Sequence, residues 1–156
     1  MTEHWVQFSA LAAGGEAVGR DESGRAVFAP YAAPGDVAAV QLGEEKPRFA
    51  RGQLLRLDEV SPLRAVAPCP FFRPPVGLEQ RVAAPDWTPQ NSCGGCAWQH
   101  IEYSYQLAAR RDLVVQALAR IGGVENADEI VESCVASPPF GYRNKADFVI
   151  DACTQT

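Results

Sequence analysis

Long apolar runs are missing from this 156-residue chain, and so is a basic N-terminus. Without roughly 20 consecutive apolar residues a helix cannot span a bilayer, and Met1-Thr2-Glu3-His4 lacks the positive charge that opens a secretory signal. Both absences lead us to expect a cytoplasmic protein with no membrane partner. Positive charge is scarce as well: 14 basic residues face 19 acidic ones for a net charge of -5, and the only lysines are Lys46 and Lys145. Such a balance excludes holding nucleic acid by bulk electrostatics, so any RNA contact must be local and DNA is not an expected partner. What the chain does have is 47% hydrophobic and 21% charged residues, enough to build the core of one ordinary domain or two small ones. It also has five cysteines, which in a chain without a secretion signal point to metal or redox chemistry rather than to a disulfide framework.

Three of the cysteines frame the densest stretch, Asn91-Ser92-Cys93-Gly94-Gly95-Cys96-Ala97-Trp98-Gln99-His100, with Cys69 upstream in Pro68-Cys69-Pro70. Cys93 and Cys96 can bind one metal centre from a single tight turn, and the glycines between them let backbone amides approach sulfur without a steric penalty. Cys69, Cys93 and Cys96 are one short of the four ligands of a closed zinc or iron-sulfur site. A thioredoxin-like dithiol would need a preceding βαβ context, whereas a proline-rich stretch precedes this pair. Thiolate-only ligation suits iron-sulfur chemistry, and zinc stays open because Cys-x-x-Cys serves both metals. His100 reads as a polar residue at the approach to a helix rather than as a ligand.

Along the chain, short strands are expected at Trp5 to Leu11, Glu16 to Arg20, Arg25 to Ala29, Asp36 to Leu42 and Phe49 to Leu57, separated by turn signals at Gly14-Gly15, Glu22-Ser23-Gly24 and Ala33-Pro34-Gly35. In the last strand Leu55 and Leu57 alternate with Arg56 and Asp58. Residues 61 to 92 are proline-rich and aperiodic, the composition of a linker or long loop, in which Arg73 to Gln90 form a surface excursion. Ser104 to Ile121 is expected to be helical: Leu107, Val114, Leu118 and Ile121 fall on one face, Ser104 caps the start and Gly122-Gly123 ends it. The opposite face, with Arg110, Arg111, Asp112 and Arg120, reads as solvated surface. Ile130-Val131 and Val135 suggest a weak strand, and Ala146 to Ile150 another. Tyr142, Arg143 and Lys145 combine a ring with two cations able to stack a base and grip phosphate, and they fit equally a strand start with exposed charges.

The first segment resembles a TRAM domain, a small OB-like β-barrel of RNA-modifying enzymes, through Gly14-Gly15-Glu16-Ala17-Val18-Gly19-Arg20, Val27-Phe28-Ala29-Pro30, Pro34-Gly35-Asp36-Val37 and Arg48-Phe49-Ala50-Arg51-Gly52. RNA binding by such a barrel would use Arg48 and Arg51 for backbone charge and Phe49 for stacking, although Phe28 and Phe49 also fit a buried core. Followed by Cys-Pro, Cys-Gly-Gly-Cys, Gln99-His100, Ile121-Gly122-Gly123 and Gly141-Tyr142-Arg143-Asn144-Lys145, the whole is similar to the N-terminal part of the RNA (uracil-5-)-methyltransferases of the 23S ribosomal RNA 5-methyluridine type. The resemblance implies a mainly β plus α fold in three parts. These are a five-stranded antiparallel barrel over residues 1–60, a cysteine-rich cluster region over 61–103, and a helix with the start of a truncated α/β or β domain over 104–156.

It also implies a 4Fe-4S cluster held by Cys69, Cys93, Cys96 and a fourth ligand further downstream, with structured, ribosomal RNA as partner. The cluster would be structural, since methyl transfer to uracil requires no electron from iron. Two departures stand out. The family's first two ligands are separated by a short spacer, against 23 residues between Cys69 and Cys93, and Cys134 and Cys153 do not sit in the fourth ligand's context. The family's nucleophilic cysteine, carboxylate base and S-adenosylmethionine domain would follow Thr156, and neither Gly14-Gly15 nor Gly122-Gly123 has the spacing to hold that cofactor. The expectation is therefore a front end without its own catalysis. A free-standing RNA-binding module with a zinc or iron-sulfur site is the alternative. The methylthiotransferases, which carry their TRAM domain last and a Cys-x-x-x-Cys-x-x-Cys motif, fit the order of segments poorly.

Overall fold

In the computed structural model, residues 2–72, 95–145 and 147 are described. Five strands, β1 (Glu3–Leu11), β2 (Ala17–Asp21), β3 (Ala26–Ala29), β4 (Val37–Glu45) and β5 (Phe49–Glu59), close into a barrel in the order β1-β2-β3-β5-β4. Each of the five strands expected between Trp5 and Leu57 is present, displaced by at most three residues at an end. All neighbouring pairs are antiparallel except β3 and β5, whose parallel register of Ala26 with Phe49, Val27 with Ala50 and Phe28 with Arg51 completes the closure. The expected OB-like five-stranded antiparallel barrel is present, and it closes through this one parallel seam because a ring of five strands has five neighbouring pairs and cannot alternate direction all the way round.

Small residues make so narrow a barrel possible. Ala17, Ala29, Ala38, Ala39 and Ala50 are fully buried, and Val6, Phe8, Val27, Val40 and Leu54 fill the remaining interior. Gly19 and Gly52 sit where strands come closest: a Cβ on Gly52 would lie 2.5 Å from Val40 Cγ1, and one on Gly19 would overlap the Gln7 carbonyl. The alanine richness of the chain thus has a structural use in the barrel wall. At the far end of β5 a register shift between Ala39 and Val40 lets Leu54 turn inward, while Leu55 and Leu57 are half-buried and Arg56 and Asp58 stay exposed as their alternation predicts.

The stretch after β5 does not leave the barrel. Ala65 N–H donates to His100 O (3.0 Å) and Glu102 N–H to Leu63 O (2.9 Å), a two-bond ladder around the Arg64–Ile101 bridge. Ala67, Phe72, His100 and Ile101 are buried, and Ile101 joins the barrel's own core cluster. Of the expected excursion, Arg73 to Gln90 lies outside the described residues.

Helix α1 (Tyr103–Arg120) starts and stops one residue before expectation. Its N-cap is Glu102, without a side-chain cap, so Ser104 lies inside the first turn and does not cap it. Gln106 instead closes the entry by donating to the Trp98 and Ile101 carbonyls at 3.0 and 2.8 Å. Gly123, at φ 68°, ends the helix, with Val124 N–H returning to Leu118 O (3.1 Å). Among the described residues the apolar stripe is only partly covered. Ala109 is buried and Leu107, Leu113 and Leu118 are half-buried, while Val114 and Ile121 are 49% and 88% exposed. The expected strand at Ile130-Val131 is replaced by a short helix, α2 (Ala127–Ile130), whose first turn carries Asp128 and Glu129, charges that favour a helix N-terminus. Arg111 fastens α2 to α1 by reaching Asp128 Oδ1 (2.8 Å), the Asp128 carbonyl and Val131 O, so this arginine is a structural clamp rather than solvated surface. Among the described residues no helix is long and apolar enough to cross a membrane.

Candidate nucleic-acid interface and thiol site

On the outer wall of the barrel, β3 and β5 bring Phe28, Phe49 and Arg51 together. Alternation drives this: Val27 and Ala50 point inward, so their neighbours point out. The Phe28 and Phe49 rings meet edge to face at 6.0 Å, half-buried, and the Arg51 guanidinium lies 6.0 Å from the Phe28 ring centre. Glu16 holds the same guanidinium at 3.4 Å. The two phenylalanines are therefore neither core nor free rings; they form an aromatic ledge with a cation above it. Arg48 is exposed in the turn just before Phe49. A second exterior pairing, Arg56 over Trp5 at 5.1 Å, lies on β5 and β1.

Tyr142, Arg143 and Lys145 are exposed, with Arg143 5.6 Å from the Tyr142 ring centre and Lys145 3.6 Å from Asp147. They lie in irregular chain beside bends at Gly141 and Asn144; Ala146 and Phe148 to Ile150, where a strand was expected, fall outside the described residues. The chain leading to them passes the start of α1, where Ser137 N–H donates to the Tyr103 hydroxyl (3.2 Å). Among the described residues this group shares no hydrogen bond, ion pair or ring contact with the barrel ledge.

Of the expected thiol ligands, Cys69 is half-buried, Cys96 is exposed, both are free, and Cys93 lies outside the described residues. Cys69 N–H donates to Gln99 Oε1 (3.3 Å), which brings the backbone at Cys69 against the irregular segment that carries Cys96 and Gln99. Two uncrosslinked thiols on one flank of the barrel fit the donor chemistry of a thiolate-bound metal. Among the described residues no group of three metal-ligating side chains is assembled, and Cys134, half-buried and free, is not joined to the pair. Cys153 lies outside the described residues.

The residues that hold this flank in place were not marked in the sequence as functional. Trp98 Nε1–H donates to Gly15 O (3.0 Å), Arg110 covers its ring at 5.6 Å, and the β1–β2 turn can approach only because Gly15 has no side chain: a Cβ there would lie 2.7 Å from that of Ala97. His100 is 1% exposed, stacks on Phe72 at 5.8 Å and sets Nε2 3.2 Å from Ala32 O. Burial, reinforced by the Arg64 charge, lowers its pKa to about 4, so it is a neutral core residue. Beneath it, fully buried Asp36 accepts from Ala33 N–H (2.6 Å), Ser61 N–H (2.9 Å) and Arg64 Nε and Nη2 (3.1 and 2.8 Å), and Arg64 also reaches Tyr31 O. The one advance signal was an aspartate after Pro34-Gly35, a turn position where its carboxylate can take backbone N–H groups.

Comparison with known proteins places these parts. Residues 3–55 match the TRAM domain model. Over 146 residues, 93% of this chain and 28% of the relative, the chain is 38% identical to a protein of Gloeobacter violaceus named an uncharacterized RNA methyltransferase. A similarly named protein of Nostoc sp. is 39% identical over 94% of the chain and 27% of the relative. The protein of Pectobacterium atrosepticum named 23S rRNA (uracil(1939)-C(5))-methyltransferase RlmD is 33% identical over 85% of the chain and 24% of the relative. The chain thus spans about a quarter of the length of the curated relatives it matches. It carries a TRAM domain and is a homologue of proteins named RNA methyltransferase, a 23S rRNA uracil-C5 methyltransferase among them.

Proposed function

We propose that this chain is the RNA-binding, iron-sulfur-binding N-terminal portion of an S-adenosylmethionine-dependent RNA uracil-5-methyltransferase. The observation that carries the reading is the aromatic ledge of Phe28 and Phe49 under Arg51 on a TRAM barrel, in a chain matched over most of its length by proteins named RNA methyltransferase. Stacking on rings tolerates any base, and the Arg51 guanidinium beside the Phe28 ring, with exposed Arg48 next to Phe49 in sequence, gives local attraction that a net charge of -5 does not supply globally. Arg48 and Arg51 would meet phosphates, Phe49 a base, and Tyr142, Arg143 and Lys145 a second stretch of the same structured, ribosomal RNA. Cys69, Cys93 and Cys96 would hold a 4Fe-4S cluster with a fourth ligand not identified among the described residues. Such a cluster supplies a rigid crosslink between loop segments rather than redox chemistry.

The test is RNA binding at two salt concentrations, with a ribosomal hairpin as ligand and Arg51→Ala and Phe49→Ala as variants. Wild-type binding that weakens with salt, with a shallower slope for Arg51→Ala, is expected; affinity that ignores both salt and the two substitutions overturns the reading. For the metal, anaerobically purified protein should carry iron and absorb broadly near roughly 400 nm, and a colourless protein with stoichiometric zinc would displace iron. Grafting the chain in place of the matched quarter of the Pectobacterium relative should leave uracil methylation intact, and loss of methylation with RNA binding preserved would refute the enzymatic assignment.

A further inference from the structure

Arg110 pairs with no carboxylate among the described residues. It is exposed on α1, and its neighbours three and four positions away, Gln106, Leu107, Leu113 and Val114, are all neutral, so the helix offers it no ion-pair partner. Arg111 beside it is the opposite case, bound to Asp128 at 2.8 Å. What Arg110 has instead is a ring: its guanidinium lies 5.6 Å from the Trp98 ring centre. An indole holds the guanidinium in place without neutralising it, so its N–H groups remain for an anion.

The fold sets this cation beside the ledge. Trp98 is half-buried against the barrel core and donates from Nε1 to Gly15 O at 3.0 Å. The next residue, Glu16, reaches Arg51 at 3.4 Å, and Arg51 lies over Phe28. A run of direct contacts therefore joins the Phe28 and Phe49 rings to Trp98 and Arg110 across the β1–β2 turn. Arg51 meets Glu16 through Nη1 alone and its side chain is 54% exposed, which leaves most of its five N–H groups for a phosphate. Of the carboxylates along this route, Glu16 is matched by Arg51 and Asp112 by Arg111 at 3.8 Å.

The route continues along α1. Tyr103 and Arg110, seven residues apart, share one face of the helix about 10 Å from each other along its axis. The Tyr103 hydroxyl accepts from Ser137 N–H (3.2 Å), and from there the chain runs on to Tyr142 and Arg143. Along this network Arg110 stands between the two groups assigned to RNA, which share no contact with each other.

We infer that Arg110, carried on Trp98, binds a phosphate of the RNA and continues its path from the phenylalanine ledge over the β1–β2 turn onto α1. The site rests on the RNA-binding reading above and gives that RNA its route. The experiment is binding of the full chain to the ribosomal hairpin across a salt series. Arg110→Met, at an exposed position, should keep its circular dichroism, bind severalfold more weakly at low salt and lower the slope of log affinity against log salt by about one. Arg110→Lys keeps the charge and should keep the slope. Arg120→Met removes an equally exposed arginine of α1 that has no ring contact among the described residues, and it should leave both quantities near wild type. Adding Arg51→Ala to Arg110→Met should deepen the loss of slope to about two. If Arg110→Met binds like wild type, or if Arg120→Met costs as much, no phosphate is held at Arg110. Absence of salt-dependent binding by wild type would overturn the RNA-binding reading itself, and this site with it.

Discussion

Acidification should loosen the barrel chiefly through His100. The imidazole is 1% exposed, places Nε2 3.2 Å from the Ala32 carbonyl, and has no partner for Nδ1 among the described residues, so the neutral ring donates through Nε2. Burial first, and then the Arg64 guanidinium, bring its pKa from 6.5 to about 4, against upward pulls from the Ala32 carbonyl and the Asp36 charge. The unfolded chain takes up a proton near pH 6.5 that the folded chain refuses until about pH 4. Between those values the unfolded state binds more protons, so stability is complete above the window and falls as the pH drops through it. Linkage puts the loss at about 2 kcal/mol at pH 5 and about 3 kcal/mol once both states are protonated. In a chain of 156 residues about 2 kcal/mol corresponds to a fall in Tm of roughly 4–8 °C.

Urea unfolding followed by tryptophan fluorescence between pH 7.5 and 5 measures this directly. His100→Gln keeps an N–H that can reach Ala32 O but cannot titrate. It should lower stability at pH 7.5 and flatten the pH dependence. Asp21 acts in a different window. Burial pulls its carboxyl up, but hydrogen bonds from Ser23 and Arg25 prevail and hold it below its ordinary 3.8, so its contribution is lost only as the pH falls past that value. A wild-type slope that survives unchanged in His100→Gln would refute the assignment.

Removing the Arg64 guanidinium strands the buried Asp36 carboxylate, so Arg64→Ala should lower the unfolding free energy by about 3–5 kcal/mol in urea titrations, with Arg64→Lys recovering part of it. Gly19→Ala, which drives a methyl into the Gln7 backbone, should destabilise the barrel by about 3 kcal/mol or more, while Gly43→Ala should stay within about 0.5 kcal/mol by the same assay. Trp98→Phe deletes the hydrogen bond to Gly15 and weakens the Arg110 contact, for an expected loss of about 1–2 kcal/mol in thermal or urea melts.

The strands were legible because each is a short alternating run closed by Gly or Pro turns, and a barrel with one solvated face enforces that alternation. The parallel β3–β5 seam was not, since local sequence encodes strand identity and leaves partner choice to closure. Periodicity announced the apolar stripe of α1 but not what covers it: Ile121, perfectly in phase, is 88% exposed. Residues 61–72 read as linker because prolines suppress periodicity, yet Ser61, Arg64, Ala67 and Phe72 dock one by one through contacts that have no repeat to detect. The bulge in β4, where Gly43 and Glu44 together oppose Arg51, was equally silent, because an extra residue changes register only relative to a partner strand. The ledge was half legible: the TRAM resemblance pointed to Phe49 and Arg51 as RNA contacts, while Phe28 became part of it only through its register with Arg51.

The same contacts decide what metal removal should do. The flank carrying Cys69 and Cys96 is tied to the barrel by Trp98 to Gly15, His100 to Ala32, Glu102 to Leu63 and Gln99 to Cys69 N–H, and none of these passes through sulfur. A metal held by these thiols therefore adds a crosslink to a segment that the protein already positions, unlike a small zinc module whose fold depends on its ion. Chelation under anaerobic conditions, or Cys96→Ala, should abolish the absorbance near roughly 400 nm that the proposed cluster would give while leaving the pH 7.5 urea midpoint of the barrel within the equivalent of about 0.5 kcal/mol. Collapse of the barrel on chelation, with His100 losing its protection from protonation at the same time, would mean that the sulfurs and not the buried histidine and tryptophan hold this flank in place.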